Sequence, residues 1–307
     1  MGYRTIMVPL DGSDFSRQAV PVAADLASRT GARVRLVCVH TGLPPGPGGV
    51  VPDDLARADE ELAGEERAML DAASEELRSR GVEVEAALER GSVVGELARV
   101  AEEEADLVVM ATHGRGPLTR LWLGSTADGL VRRCTAPVLL VRPRADGDEG
   151  EAGGTHLRHL LVPLDGSPAA RRVLGPARAL AEATGARLTL FRAVQPVMGP
   201  GFGPPDFPQG VDAAATEAME DDVAARLERT ARDLREEGLE VAVEVTRSPD
   251  VPGAILEAAS ELGADATAMA THGRGGVRRL LLGSVADKVL RASEHPVLLV
   301  RPGEGAG

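Results

Sequence analysis

The hydrophobic positions of this chain fall into short continuous runs that alternate with segments of helical spacing. In the first half, apolar runs predict strands at 4–10, 33–40, 82–88, 105–111 and 137–141. Between them, helical spacing predicts helices at 16–30, 56–80 and 93–104, and a last helix directly after Gly124-Ser125. Runs that are apolar almost throughout suit strands covered on both faces. The alternation therefore predicts an α/β fold with a doubly wound, mostly parallel, Rossmann-like sheet of five strands.

The same order of elements occurs a second time along the chain. The pairs of matching segments are 111–125 with 270–284, 6–13 with 160–167, and 136–143 with 295–302. In the first pair, ATHGRGPLTRLWLGS and ATHGRGGVRRLLLGS, eleven of the fifteen positions are identical. A period this long indicates a duplicated domain and not a solenoid. We therefore predict a first domain at 1–143, a polar, Gly-rich linker at 144–155 and a second domain at 156–303.

Charge and composition narrow the classes of partner. The net charge of −13 and the 2% aromatic content disfavour a nucleic-acid partner, which needs a basic surface and stacking platforms. No apolar run approaches the roughly 20 residues that span a bilayer, so we expect no membrane partner. Cys38 and Cys134 have no counterparts in the second half, and we expect them to be buried in a reducing, cytoplasmic setting.

Candidate chemistry follows the carboxyl ends of the predicted strands, where ligands bind in doubly wound sheets. The loop THGRGPLTRLWL leaves the strand at 105–111, and Gly124-Ser125 then opens a helix. Glycine allows close backbone approach, and a helix N-terminus attracts anions, so this segment suits phosphates. Asp11 and Asp165, each after a VPL strand end, could accept hydrogen bonds from ribose or an amine. DGS is also a generic turn signal, so a purely structural interpretation stays open.

These segments resemble the universal stress protein family over nearly the whole chain. VPLDGS at a strand end, the ATHGRG…LLLGS loop and the terminal PVLLV strand carry the resemblance in both halves. The family's nucleotide-binding branch carries Gly, two residues, Gly, nine residues and then Gly-Ser or Gly-Thr. Nine residues separate Gly114 from Gly124, and nine separate Gly273 from Gly283. The first glycine of that pattern is Ala111 in one copy and Ala270 in the other.

The resemblance implies a tandem member with a fold like that of the adenine nucleotide alpha hydrolases and one nucleotide site in each domain. In the first domain the implied nucleotide-binding residues are Pro9, Leu10, Asp11, Val39, Met110, Ala111, Gly114, Arg115, Gly124, Ser125, Thr126 and Ala127. In the second domain they are Pro163, Leu164, Asp165, Ala193, Met269, Ala270, Gly273, Arg274, Gly283, Ser284, Val285 and Ala286. The implied cofactor is ATP, and whether Mg²⁺ accompanies it stays open. Met110 and Met269 equally suit plain strand core.

The function implied by the resemblance is a cytoplasmic, adenine-nucleotide-binding stress-response module. Members of the universal stress protein family also pair terminal strands across a dyad, which implies an intramolecular pseudo-dimer of the two halves and leaves a homodimer open.

A slow ATPase or autophosphorylating enzyme that uses His113 or His272 is one alternative function. A nucleotide-free interaction module, with Ala111 and Ala270 blocking the pocket, is another. Because P-loop, kinase and nucleophile-elbow motifs are missing, we predict no catalytic or metal-ligating residues. The loops at 41–52 and 195–210 could be lids or simple connections.

Overall fold

The computed structural model describes residues 2–42, 52–112, 123–142, 157–198, 211–272 and 282–301. The chain forms two compact units, with the main boundary between His156 and Leu157. The predicted linker at 144–155 lies outside the described residues, as do 43–51 and 199–210 of the two proposed lid loops.

The first domain alternates strands and helices as the hydrophobic pattern predicts. Its elements are β1 (Thr5–Pro9), α1 (Asp14–Arg17), α2 (Ala19–Thr30), β2 (Arg33–His40), α3 (Asp53–Ser79), β3 (Val84–Arg90), α4 (Val93–Glu104), β4 (Leu107–Ala111), α5 (Ser125–Arg133) and β5 (Val138–Val141). The strand order is β3-β2-β1-β4-β5, and β1 pairs in parallel with both β2 and β4. The chain therefore crosses from β3 to the other side of β1, which makes β1 and β4 the point where the order reverses.

The second domain repeats this arrangement. Its elements are β6 (His159–Pro163), α6 (Pro168–Arg171), α7 (Leu174–Thr184), β7 (Arg187–Val194), α8 (Ala213–Glu236), β8 (Val241–Arg247), α9 (Val251–Glu261), β9 (Ala266–Ala270), α10 (Ser284–Ala292) and β10 (Val297–Val300). The order is β8-β7-β6-β9-β10, and β6 pairs in parallel with both β7 and β9. The order therefore reverses between β6 and β9.

The strands of each sheet differ in burial. Every residue of β1, β4, β5, β9 and β10 is buried, whereas β3 has only half-buried and exposed residues. Helix α2 packs on α3, and α4 packs on α5. These contacts and the parallel pairing confirm the predicted doubly wound α/β class. In the described part of the chain, none of the helices combines the length and apolar character needed to cross a membrane.

Several element boundaries differ from those the hydrophobic pattern predicts. The segment predicted as one helix at 16–30 belongs to two helices, which are separated at Gln18. The Ser13 hydroxyl accepts from the Ser16 N–H and starts α1 at Asp14, two residues before the predicted start. Helix α2 then begins at Ala19, which places Pro21 in its first turn, where an N–H donor is not needed. Helix α3 begins at Asp53 and not at Ala56, with two acidic residues in its first turn.

Candidate functional site

Several of the implied nucleotide-binding residues of the first domain lie at neighbouring strand ends. Pro9 ends β1 and pairs with Val37, and the Leu10 N–H donates to the Val37 carbonyl at 2.8 Å. Val39 lies two residues further along β2, and Met110 with Ala111 ends the adjacent strand β4. All these strands are parallel, so their carboxyl ends meet at one edge of the sheet. We call this edge, together with the start of α5, the first cleft.

The second cleft has the same construction at the ends of β6, β7 and β9 and the start of α10. Pro163 pairs with Phe191, and the Leu164 N–H donates to the Phe191 carbonyl at 2.9 Å. Ala193 therefore occupies the register position of Val39. Met269 and Ala270 end β9 as Met110 and Ala111 end β4. Both methionines are buried, which also suits the strand-core interpretation.

The alanines at the first position of the glycine pattern have extended backbones. Ala111 is the last residue of β4 and pairs with Val141, and Ala270 is the last residue of β9. Both are buried. An extended residue needs no positive φ, so at these positions the fold demands a small side chain and not specifically glycine.

A turn fixes each candidate carboxylate at the mouth of its cleft. The Ser13 N–H and hydroxyl donate to Asp11 Oδ1 at 2.9 and 2.6 Å, and Gly12 between them has φ 77°. In the second domain the Ser167 N–H donates to Asp165 Oδ1 at 2.8 Å across Gly166. The DGS signal therefore does build a turn, as the structural interpretation requires. The same turn holds an acceptor carboxylate in a fixed direction.

The helix side of each cleft begins at a glycine held against the strand end. The Gly124 N–H donates to the Thr112 carbonyl at 2.8 Å, and the Gly283 N–H donates to the Thr271 carbonyl at the same distance. Added to Gly283, a Cβ would lie 2.9 Å from the Thr271 oxygen, so only glycine permits this approach. These hydrogen bonds place the first turns of α5 and α10 at the edge that carries Asp11 and Asp165.

The first turns of α5 and α10 offer backbone donors. Neither N-cap, Gly124 or Gly283, supplies a side-chain cap. The N–H groups of a first turn have no partner within the helix, and without a capping side chain they suit an anion. The turns are formed by Ser125, Thr126 and Ala127 in one domain and by Ser284, Val285 and Ala286 in the other. Ser125 and Ser284 are exposed, so a ligand can reach this end of each helix.

His272 carries a buried polar atom at the second cleft. Its Nδ1 lies 3.1 Å from the Thr271 hydroxyl, while its Nε2 is buried without a hydrogen-bond partner. Buried polar atoms normally find a partner in protein, water or ligand. The other predicted loop residues, His113, Gly114, Arg115, Gly273 and Arg274, lie outside the described residues.

A cluster of charged side chains around the buried His40 in the first domain was not predicted. His40, at the end of β2, has its Nδ1 2.7 Å from Glu66 Oε2. Its Nε2 lies 3.1 Å from Asp59 Oδ1 without hydrogen-bond alignment. Arg90 Nη1 lies 3.7 Å from Asp59 Oδ2. Comparison of the copies would have drawn attention to this position, because the second domain has Val194 in place of His40.

A thiol lies beside this cluster, beneath the first cleft. Burial, then the carboxylates of Glu66 and Asp11, raise the pKa of Cys38 to about 12. Burial raises the pKa of Cys134 to about 11. Both thiols are therefore protonated at neutral pH and act as small buried side chains, as expected from the sequence. Within the described ranges, no three His, Cys, Asp or Glu side chains form a group that could hold a metal ion.

Comparison with known proteins decides the family. The model of the universal stress protein family matches residues 2–142 and 156–301. The chain belongs to the universal stress protein family. A universal stress protein of Mycolicibacterium smegmatis is 29% identical over 304 residues, 97% of each chain, so the likeness to that relative extends over both domains.

Other relatives resemble this universal stress protein over part or all of their length. One from Mycobacterium tuberculosis strain H37Rv is 32% identical over 201 residues, which are 64% of this chain and 62% of the relative. This chain therefore spans about three fifths of that relative. A solved universal stress protein from Archaeoglobus fulgidus has a TM-score of 0.68 at 22% identity and covers 97% of this chain and 98% of its own. That likeness concerns the fold.

Proposed function

We propose that each domain of this universal stress protein binds an adenine nucleotide, ATP, and that binding regulates a stress response in the cytoplasm. The observation that carries the proposal is the junction found in both domains. At each junction a glycine N–H bonds to a strand-end threonine carbonyl and places an uncapped helix N-terminus beside a turn-fixed aspartate. The amides suit phosphates and the aspartate suits hydroxyl or amine donors, so the two ends fit the two parts of a nucleotide.

Two further features support this assignment. The orphaned Nε2 of His272 is a buried polar atom at the phosphate side, which a ligand group or water would satisfy. The extended backbones of Ala111 and Ala270 permit the departure from glycine without strain. Mg²⁺, if it accompanies ATP, would arrive on the phosphates. The protonated, buried thiols Cys38 and Cys134 suit a reducing compartment.

A charge placed on the two exposed helix starts tests the proposal. We expect Ser125→Asp with Ser284→Asp to lower ATP affinity by more than about tenfold, because the new carboxylates repel the phosphates. Acidic residues in a first helical turn favour the helix, so the melting temperature without ligand should hold or rise. Isothermal titration calorimetry, together with native mass spectrometry of bound nucleotide, measures the effect.

The matched control is Ser125→Asn with Ser284→Asn, which introduces side chains of the same size without charge at the same exposed positions. It should lower ATP affinity far less than the aspartate pair does. If wild-type protein neither retains nucleotide nor gives a binding signal with ATP, the proposed function is wrong. If the aspartate pair binds as the wild type does, the nucleotide lies elsewhere.

A further inference from the structure

The two clefts differ at one register position near the carboxyl ends of β2 and β7. Pro9 pairs with Val37 and Pro163 pairs with Phe191, so the next residues along β2 and β7, Cys38 and Arg192, are equivalent. The thiol of Cys38 is buried and neutral. The guanidinium of half-buried Arg192 instead reaches the end of β6, where Nη1 donates to the Leu164 carbonyl at 2.9 Å.

That hydrogen bond fixes the position of the positive charge. The Leu164 carbonyl directly precedes Asp165, whose carboxylate is held by the Ser167 N–H at 2.8 Å. Arg192 therefore brings a permanent cation to the end of β6 in the second cleft, at the carbonyl that directly precedes Asp165. An arginine keeps its charge at all accessible pH values, so this difference persists under any physiological condition.

The helices that flank the two clefts, α3 and α8, carry acidic residues at different positions. Gly81 follows α3 as Gly238 follows α8, which aligns the two helices. In this alignment Val223 occupies the position of Glu66. Thr216 occupies the position of Asp59. Glu66 and Asp59 contact His40 near the end of β2. The second domain has an apolar and a neutral side chain at these positions, but its α8 carries Glu220, which pairs with Arg247, the register equivalent of Arg90. The charge difference that remains at the strand ends is the additional cation of Arg192.

We propose that the two domains bind ATP unequally and that the second domain is the tighter site, because Arg192 supplies a cation where the first domain has Cys38. This inference rests on the proposed function of both clefts. Its ligand class is a polyanionic nucleotide, since a charge near the cleft changes the affinity for ATP far more than for uncharged adenosine. With an effective dielectric constant of about 20, a unit charge about 10 Å from another changes an affinity by about tenfold.

The test is a titration of the full-length chain with ATP and with adenosine. Wild-type protein should show two classes of ATP site that differ by about tenfold. Arg192→Met keeps the apolar stem and removes the charge, and should weaken the tight class by about tenfold while it changes adenosine binding little. Arg192→Lys should keep most of the tight binding. At limiting concentration, 8-azido-ATP should label peptides of the second domain in the wild type.

Arg187→Met is the matched control, since it removes the same charge from the opposite end of the same strand, β7. It should leave both ATP classes as they are. Two equal ATP sites in the wild type, first-domain labelling, or unchanged ATP binding by Arg192→Met would overturn the inference and leave the proposed function standing. A wild-type chain that binds no ATP would overturn both.

Discussion

At the residue scale, His159 makes the stability of the second domain depend on pH. Its Nδ1 lies 3.1 Å from the Leu262 carbonyl and its Nε2 lies 2.7 Å from the Thr189 hydroxyl. Arg187 Nη2 lies 3.3 Å from the same Nδ1, so a positive charge already faces this side of the ring. Burial, then the positive charge of Arg187, lower the pKa of His159 below 6.5. The unfolded chain then binds the proton more readily, so stability is lost as pH falls below about 6.5.

The variant His159→Thr tests this, because Thr5 is the residue at the equivalent strand start in the first domain. At pH 7.5 we expect it to be less stable by about 1–3 kcal/mol, since buried partners lose their hydrogen bonds. Between pH 7.5 and 5.5 it should lose less stability than the wild type does. Urea unfolding at both pH values measures the difference. Parallel pH dependences in the two proteins would contradict the assignment.

Other single residues show why part of this structure escaped sequence reasoning. Asp106 accepts from the Arg4 and Thr5 N–H groups, and Asp265 accepts from the Arg158 and His159 N–H groups. Each carboxylate thereby joins the starts of two neighbouring strands that are about a hundred positions apart along the chain. Hydrophobic spacing carries no information about such a contact, because it depends on which strands become neighbours.

At the element scale, α4 and α5 pack closely through a glycine. A Cβ at Gly129 would lie 2.7 Å from a Val94 methyl carbon, closer than packing allows. Gly129→Ala should therefore destabilise the first domain by about 1–3 kcal/mol, although alanine favours an isolated helix by about 1 kcal/mol. In a Val94→Ala background only the residue-94 Cβ remains nearby, at 3.3 Å, so the same change should cost clearly less stability. Thermal or urea unfolding of the four proteins in this cycle gives both values.

The decisive measurement in that cycle is the difference between the stability changes that Gly129→Ala causes in the two backgrounds. If Gly129→Ala destabilises equally in both backgrounds, the helices do not approach as described. The second domain offers an independent comparison, because α10 has the exposed Lys288 where α5 has Gly129. Lys288→Ala should change stability by less than about 0.5 kcal/mol. Sequence alone did not distinguish Gly129 from a tolerated helix glycine, since its role depends on the neighbouring helix.

Elements with strong periodicity were otherwise predicted closely. The predicted strand at 33–40 and helix at 93–104 coincide with β2 and α4, since their ends carry clear polar boundaries. The edge strand β3 extends to Arg90 beyond its predicted end at Leu88, because its pairing with β2 continues to His40. Pairing partners therefore set boundaries that local sequence leaves undetermined. The site residue types followed from strand-end position and resemblance, but the reach of Arg192 required side-chain geometry.

At the scale of the whole molecule, the duplication predicts two separable effects of ATP on stability. A ligand that binds only the folded state at about 100 times its dissociation constant stabilises by about 2.7 kcal/mol. Calorimetry with saturating ATP should therefore raise the unfolding temperature of the wild type. Ser125→Asp should lower only the first domain's share and Ser284→Asp only the second's, because each helix start serves its own cleft. A tenfold loss of affinity at the same ATP concentration lowers the stabilisation to about 1.4 kcal/mol, so the double variant should show a much smaller rise.

Comparison with adenosine separates nucleotide recognition from general ligand effects in the same experiment. Adenosine lacks phosphates, so the aspartate substitutions at Ser125 and Ser284 should change its smaller stabilisation little. If one substitution abolished the whole ATP effect, the clefts would be coupled or only one would bind. A full rise in the double variant would remove both helix starts from the site. The two junctions are alike, whereas the clefts differ at Cys38 and Arg192. At ATP concentrations near the dissociation constant of the weaker site, the second domain should therefore contribute more of the rise in unfolding temperature. Ser284→Asp should then remove a larger share of that rise than Ser125→Asp does.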